Sequence, residues 1–260
     1  MIKYCWEWVL YSFLLVYWAV TSVSISLIGT LLYLILPDKY APVCGRFILQ
    51  KDFQLFVLLL KTTGLLILED DELKALANKQ GAMIVAPNHI AIWDVVFIVA
   101  QVPELICIMK ESILRNPLLG GGASRLAGYL PVSSITQMLK LAKFRLKANE
   151  QLLMFPEGTR TKTEEQWMNP LKGGAALLAR QAAVPIVPVF IRSNTRFFEK
   201  GWPIYRKPDF PLKINISVGE PILVAEGESV QAFAKRLEKI FIDELSSPHP
   251  LRRVQKHNHE

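Results

Sequence analysis

The feature that most constrains the fold is a long apolar run near the start of the chain. No charged residue occurs from Trp8 to Pro37, and the run reads WVLYSFLLVYWAVTSVSISLIGTLLYLILP. As a helix it would extend about 45 Å, compared with a bilayer hydrocarbon core of about 30 Å. The run therefore predicts a membrane-associated helix. The alternative, a very apolar core helix of a soluble protein, is less favourable because so long a charge-free surface is difficult to bury in a small domain.

A second apolar stretch follows at residues 53–68, FQLFVLLLKTTGLLIL, and it is interrupted by Lys61 and Gly64. It is too short to cross a bilayer comfortably, so we expect it to lie in the interface or to enter the bilayer partway. Together the two stretches predict an N-terminal membrane-associated helical hairpin in residues 1–64. Removing residues 1–62 is then expected to release the rest of the chain from membranes.

The distribution of charge predicts which side of the membrane the rest of the chain occupies. Only Lys3 precedes the apolar run, whereas Lys39, Arg46 and Lys51 follow it. Because positive residues favour the cytoplasmic side, we expect the remainder to lie on the cytoplasmic face. The three cysteines are far apart and form no CxxC pair, which agrees with a reducing compartment and fits neither a disulfide framework nor a zinc site.

After about residue 71, short apolar runs alternate with helical patterns. The predicted strands are 82–86, 105–109, 151–155, 185–191 and 212–219, and the predicted helices are 134–148, 173–183 and 228–245. This alternation predicts an α/β fold with a mixed, partly parallel sheet flanked by helices. We expect it to occupy residues 65–245, followed by a loose polar tail at 246–260.

The chain carries a net charge of +7, and its basic residues are densest between Arg192 and Lys213, where aromatic residues are interleaved with them. Such a mixture is suited to stacking nucleic-acid bases or to contacting lipid headgroups. With a membrane anchor in the same chain, membrane lipids are the favoured partner and nucleic acid is not expected. A simple solvated loop is nearly as good an interpretation.

Polar side chains follow two of the predicted strands. His89 comes directly after strand 82–86 in the segment PNHIAIWDV, and Asp94 lies about one turn into the next helix. A hydrogen bond from the imidazole to that carboxylate would fix the tautomer and leave the other ring nitrogen as a base. By itself, such a pair has an equally good structural explanation.

The second strand, 151–155, is followed by Pro-Glu-Gly-Thr-Arg. Gly158 allows a tight turn, and Arg160 offers a planar set of donors suited to a phosphate or carboxylate. Strand ends in one sheet would present the base and this anion-binding group to the same crevice. Other catalytic patterns are absent: Gly120–Gly122 lack the GK[ST] of a P-loop and predict a flexible bend instead, and no GxSxG elbow occurs.

The combination of NHxxxxD at 88–94 with FPEGTR at 155–160 resembles the glycerophospholipid acyltransferase family, in particular its lysophosphatidate branch. Two further blocks are similar to those of the family: KESILRNPLLGGGASRLAGYLPV at 110–132 and AVPIVPVFI at 183–191. The resemblance covers roughly residues 65–220. It implies that His89 is the general base and Asp94 its partner. It also implies an acceptor-binding group, with Arg160 as the phosphate ligand, and a structural proline at Pro188. The members of the acceptor-binding group are Lys110, Glu157, Gly158, Thr159 and Arg160.

One position departs from the family pattern. The second block usually closes on an Asp-Arg pair, whereas Ser133 and Ser134 stand here. The resemblance implies transfer of an acyl group from acyl-CoA or acyl carrier protein to 1-acylglycerol-3-phosphate, with no cofactor and no metal. The missing arginine leaves open another lysolipid acceptor or an unusual acyl chain. A non-catalytic lipid-binding membrane protein of the same fold is a further alternative.

Overall fold

The computed structural model describes residues 2–132, 134–162 and 167–251. Its helices are α1 (Ile2–Ile35), α2 (Ala41–Thr62), α3 (Asp71–Leu76), α4 (Asp94–Gln101), α5 (Glu111–Leu114), α6 (Gly121–Leu126), α7 (Ile135–Lys147), α8 (Gly174–Ala182) and α9 (Val230–Ser246), with a short 3-10 helix at Pro117–Leu119. Its strands are β1 (Leu66–Glu69), β2 (Met83–Pro87), β3 (Ile106–Lys110), β4 (Leu130–Val132), β5 (Gln151–Leu153), β6 (Ile186–Ser193) and β7 (Leu212–Val218). Most of the polar tail predicted at 246–260 lies outside the described residues.

The strands form one sheet in the order β1-β7-β6-β2-β5-β3-β4. Every neighbouring pair is parallel except β6 and β7, which are antiparallel. The predicted α/β class, with a mixed sheet flanked by helices, is confirmed. β2, β5 and β6 lie in the interior of the sheet, and β2 and β6 are buried along their whole length, which explains their near-continuous apolar sequences.

Two strands were not predicted from the sequence. β1 begins inside the apolar stretch 53–68, because α2 ends at Thr62. Gly64, with φ of 73°, then turns the chain into the sheet beside β7. The last residues of that stretch are therefore in a strand, which corrects their predicted place at a membrane interface. β4 has only three residues, too few to show a periodicity in the sequence.

The two N-terminal helices pack against the sheet domain and share its core. Tyr11 and Leu14 of α1 and Leu49, Phe56 and Leu60 of α2 are at most 2% exposed. The approach of α1 to α6 is so close that a side chain at Gly122 would collide with the Ser26 carbonyl of α1. Gly121 and Gly122 thus serve helix packing rather than a flexible bend.

The opposite face of α1 is exposed and apolar. Within the described residues, α1 is the one helix long and apolar enough to cross a membrane by length and composition, and 17% of its most apolar window is buried. The exposed residues of this face include Val9, Phe13, Val16, Val20, Leu27, Leu31 and Leu34. A contiguous apolar surface of this kind is typical of a membrane or protein contact.

Candidate active site

The two polar motifs lie together at one edge of the sheet. β2 is parallel to both β5 and β6, with Val85 opposite Leu153 and Pro87 opposite Val189. The segments that leave the carboxyl ends of β2 and β5 therefore emerge side by side, and they carry the two motifs. This agrees with the general position of sites in open α/β sheets.

His89 and Asp94 form a hydrogen-bonded pair. His89 Nδ1 lies 2.9 Å from Asp94 Oδ2, and the same oxygen accepts from the Ala91 N–H at 2.8 Å. Asp94 is the first residue of α4 and is fully buried, whereas the His89 side chain is 18% exposed. With the carboxylate as acceptor, the neutral form of the ring is assigned its proton on Nδ1 and a lone pair on Nε2. The Phe155 ring stacks on the imidazole with 3.9 Å between centroids.

The main chain around His89 is fixed by buried polar groups. The Asn88 amide donates to the Ile191 and Trp167 carbonyls and accepts from the Ile191 N–H, and this residue is 1% exposed. Thr161 donates to the His89 carbonyl from both its N–H and its hydroxyl, at 2.6 and 3.0 Å. No role was predicted for Thr161, since nothing in the motif marks a contact with a histidine carbonyl.

Glu157 lies beneath the site rather than in the wall of the cavity. Its carboxylate accepts from the His89 N–H at 2.6 Å and from the Asn169 N–H and side-chain amide, each at 2.7 Å. It is 1% exposed, and it is not among the residues that line the cavity described below. This geometry connects the two motifs directly, because Glu157 of the FPEGTR motif holds the main chain of His89 in the NHxxxxD motif.

Glu157 gives the fold a pH dependence that can be measured. Burial, together with the negative charge of Asp94, raises the pKa of this carboxyl from its ordinary 4.5 to about 7, against the opposing effect of its N–H donors. The folded state therefore binds this proton more tightly than the unfolded chain does. The resulting stabilisation is present below about pH 4.5 and is lost as the pH rises through about 7.

Glu157→Gln should remove this contribution, so that the Tm falls less steeply between about pH 5 and pH 7 than in the wild type. Unfolding followed in detergent at several pH values measures the difference. Glu220→Gln is the matched control, because Glu220 is exposed and forms no ion pair with the described residues. If the slope of Tm against pH in Glu157→Gln equals that of the wild type, the pH dependence of stability belongs to another group.

The rest of the second motif lies at the mouth of a cavity. Gly158, Thr159 and Arg160 line it, as does Lys110 at the end of β3. Arg160 Nη1 donates to the carbonyls of Phe198 and Glu199, at 2.7 and 3.0 Å. Burial lowers the pKa of its guanidinium below the ordinary arginine value, and the negative charge of Asp94 opposes this shift.

Two further cations line the same cavity and were not singled out as site residues from the sequence: Lys172 and Lys200. Lys172 lies over the turn of the second motif, where a Cβ on Gly158 would be 3.0 Å from its Nζ. Gly158 itself has φ of 67°, a conformation that favours glycine. Lys172 could have been noticed because it precedes Gly173 and Gly174, and Lys200 lies in the basic and aromatic segment between Arg192 and Lys213 that was interpreted above as suited to lipid headgroups.

The cavity has a volume of 680 Å³. Its cationic lining residues are exposed or half-buried and form its mouth, whereas most of its apolar lining residues are buried or half-buried and form its interior. His89 borders it, and the interior walls come from both N-terminal helices, β3 and α7. Its apolar lining includes Trp18, Ile25, Leu49, Phe53, Val96, Ile108, Met138 and Leu139. The cavity therefore brings together a base, several cations and a long apolar space. This arrangement is suited to an anionic amphiphile.

The described residues contain no group of three or more His, Cys, Asp and Glu side chains placed to hold a metal ion. The cationic lining favours an anion over a metal. Ser133, the first of the two serines that depart from the family pattern, lies outside the described residues.

A family model described as Acyltransferase matches residues 69–192. The matched region begins at the end of β1 and ends in β6, and it contains both motifs and the His89–Asp94 pair. The matched region is just under half of the chain. The predicted resemblance to an acyltransferase family is thereby confirmed.

Several acyltransferases are similar to this chain. A 1-acyl-sn-glycerol-3-phosphate acyltransferase of Pseudomonas aeruginosa is 25% identical over 224 residues, which are 84% of this chain and 83% of that protein. A 1-acyl-sn-glycerol-3-phosphate acyltransferase of Cocos nucifera is 28% identical over 166 residues, 61% of this chain. In that second comparison the chain spans about half of the relative's length, 52%.

The acyltransferase fold is also found in a solved structure. The crystal structure of a 1-acyl-sn-glycerophosphate acyltransferase from Thermotoga maritima superposes with a TM-score of 0.65. The match covers 95% of this chain and 99% of the other at 20% sequence identity. At that identity the likeness establishes the fold, including the N-terminal apolar helix, and nothing finer.

Proposed function

We propose that the protein transfers a fatty acyl group from acyl-CoA or acyl carrier protein to the free hydroxyl of 1-acylglycerol-3-phosphate, giving phosphatidic acid. The observation that carries the proposal is the His89–Asp94 pair, 2.9 Å apart, at a cavity with a cationic mouth and an apolar interior. The names of the relatives agree with this reaction.

In the proposed reaction, His89 Nε2 removes the proton of the acceptor hydroxyl as its oxygen attacks the thioester carbonyl. The tetrahedral intermediate then collapses, the C–S bond breaks, and the imidazolium returns the proton to the thiolate. Asp94 holds the ring through Nδ1 and stabilises the imidazolium, which lies next to a fully buried carboxylate. Because a thiolate is a good leaving group, the mechanism needs no covalent enzyme intermediate.

The cationic mouth is the proposed site of the acceptor phosphate. Arg160 uses only Nη1 in its bonds to main-chain carbonyls within the described part of the chain, which leaves Nε and Nη2 for a ligand. Lys110 supplies a second positive charge, and Lys172 and Lys200 border the same space. Gly158 and Thr159 complete the turn against which the headgroup would rest.

The proposed location is a membrane, with the catalytic domain on its cytoplasmic face. Support comes from the exposed apolar face of α1 and from the positive residues that follow it. The apolar cavity reaches α1 and α2, so an acyl chain could enter it from the lipid phase without crossing water. Membrane lipids are thus both the surroundings and the source of the acceptor.

One observation favours a lysolipid acceptor other than lysophosphatidate: a serine stands at position 134, where the family pattern has an arginine. Ser134 caps the N-terminus of α7, where its hydroxyl accepts from the Gln137 N–H at 3.2 Å. Its neighbour Ile135 lines the cavity, so a family arginine at this position would lie near the mouth. Without that charge, we expect weaker discrimination between lysophosphatidate and zwitterionic lysolipids.

Arg160→Ala should lower kcat/KM for lysophosphatidate about ten- to a hundredfold, because a charge-assisted hydrogen bond contributes roughly 1.5–3 kcal/mol. The KM of the thioester donor should stay constant. Ser134→Arg should favour lysophosphatidate selectively, although it also removes a helix cap worth about 1 kcal/mol. For Ser134→Arg the informative measurement is kcat/KM for lysophosphatidate divided by that for lysophosphatidylcholine, and for Arg160→Ala it is kcat/KM for lysophosphatidate divided by that for monoacylglycerol, which has no phosphate. An equal loss for lysophosphatidate and monoacylglycerol in Arg160→Ala would assign Arg160 to the fold rather than to the phosphate.

The reaction itself is tested with purified protein in mixed micelles, each donor type being offered with a panel of lysolipids. The proposal requires thioester consumption that depends on added lysolipid, with phosphatidic acid as the product. Lipid binding without any acyl transfer would favour a non-catalytic lipid-binding protein of the same fold. Transfer to other lysolipids in preference to lysophosphatidate would identify a different acceptor.

A further inference from the structure

The guanidinium of Arg160 is positioned by the loop that connects β6 to β7, residues 194–211. Both of its hydrogen bonds to the described residues go to main-chain carbonyls of this loop, those of Phe198 and Glu199. The Phe198 carbonyl also accepts from the Ile92 N–H at 3.3 Å, in the segment between His89 and Asp94. The path of the 194–211 loop therefore determines where the guanidinium lies relative to the base.

The 194–211 loop is in turn held by α1. The Tyr11 hydroxyl donates to the Ile204 carbonyl at 2.6 Å. One helical turn earlier, Glu7 forms an ion pair of 2.7 Å with Lys207, and both side chains are largely buried. These contacts join residues about two hundred positions apart in the chain, and they connect the N-terminal end of the apolar helix to the loop.

The conformation of Phe198 indicates that the loop depends on these surroundings. Its φ is 44°, in the left-handed region that residues with a side chain rarely adopt. Such a conformation persists when neighbouring groups impose it. The Phe198 ring is 8% exposed and packs between Trp93, at 4.5 Å between centroids, and Tyr11, at 6.3 Å.

We propose that Tyr11 is a positioning residue for Arg160: through the 194–211 loop, the apolar helix α1 sets the geometry of the acceptor-phosphate site. The inference rests on the proposed function. It assigns α1 a part in acceptor recognition that is separate from attachment to lipid. A helix held in the membrane would thereby keep the Arg160 guanidinium level with the headgroups at the membrane surface.

The test uses Tyr11→Phe in the full-length protein, with Tyr17→Phe as the matched control. Both variants remove one hydroxyl from α1 and keep the ring, but the Tyr17 hydroxyl is buried without a hydrogen-bond partner among the described residues. Loss of one hydrogen bond predicts an acceptor KM about two- to tenfold higher in Tyr11→Phe. The donor KM and the fraction bound to vesicles should stay as in the wild type. Tyr17→Phe should leave the acceptor KM, the donor KM and the fraction bound to vesicles unchanged.

A double-mutant cycle with Arg160→Ala separates positioning from a general loss of stability. If Tyr11 acts through Arg160, Tyr11→Phe should cause no further fall in acceptor kcat/KM once the guanidinium is absent. Equal effects in the presence and absence of Arg160 would overturn the proposal, as would equal behaviour of Tyr11→Phe and Tyr17→Phe. Glu7→Gln, which breaks the second contact, should reproduce the acceptor effect. A wild-type protein that transfers no acyl group would instead overturn the proposed function.

Discussion

His89→Ala should lower kcat for acyl transfer by about 10²–10⁴, the usual contribution of a general base. The variant removes the only group that the proposed mechanism uses to accept the hydroxyl proton. Within the described residues, the His89 side chain forms a hydrogen bond with Asp94 alone, and the bonds that hold this turn come from its main chain. We therefore expect the Tm and membrane association to stay close to those of the wild type.

Asp94→Asn should lower kcat by a smaller factor, about ten- to a hundredfold, because it removes the charge that stabilises the imidazolium but keeps the shape of the side chain. His249→Ala is the matched control, since His249 lies beyond α9 and does not line the cavity. Initial rates at saturating donor and acceptor measure kcat for each variant. An alanine variant at position 89 that retains most of its turnover would contradict the mechanism.

Deleting residues 1–62 should prevent folding rather than release a soluble catalytic domain. The sequence alone suggested release, because it presents these residues as an anchor. In the structure, the side chains of α1 and α2 that are buried in the shared core include Leu14, Leu49, Phe56, Val57 and Leu60. At about 1.5–3 kcal/mol for each such side chain, their loss is comparable with the whole stability of a typical domain, about 5–15 kcal/mol.

Anchoring and folding can be separated by a second variant. Replacing Phe13, Val16 and Val20 with serine changes the exposed face of α1 and leaves its buried face intact. This triple variant should stay folded, with a cooperative thermal transition, and should bind vesicles more weakly than the wild type. The truncated chain should instead be insoluble or lack a cooperative transition. A soluble, cooperatively folding chain that begins at residue 63 would refute the role of α1 and α2 in the core.

The placement of polar side chains at the ends of the strands could be predicted from the sequence because it depends on local patterns. Buried strands are short apolar runs, and a polar residue directly after one lies at the carboxyl edge of the sheet whatever the rest of the fold is. His89 and Arg160 were identified in this way. The five-residue spacing of His89 and Asp94 spans one turn and the start of a helix, so their hydrogen bond was also a local prediction.

Contacts between distant parts of the chain were decided only by the tertiary structure. Glu157 stands in the predicted acceptor motif, yet its carboxylate lies under the backbone of His89, because two loops separated by 68 positions meet there. Lys200 borders the cavity only because the 194–211 loop folds over Arg160. The environment of each side chain of α1 was also decided only by the tertiary structure. The composition of α1 predicts contact with lipid, but composition cannot distinguish an apolar residue facing lipid from one facing the core, since both environments favour the same side chains. The assignment of Tyr11 to the core and of Phe13 to the exposed face follows from packing against α2, α6 and the 194–211 loop.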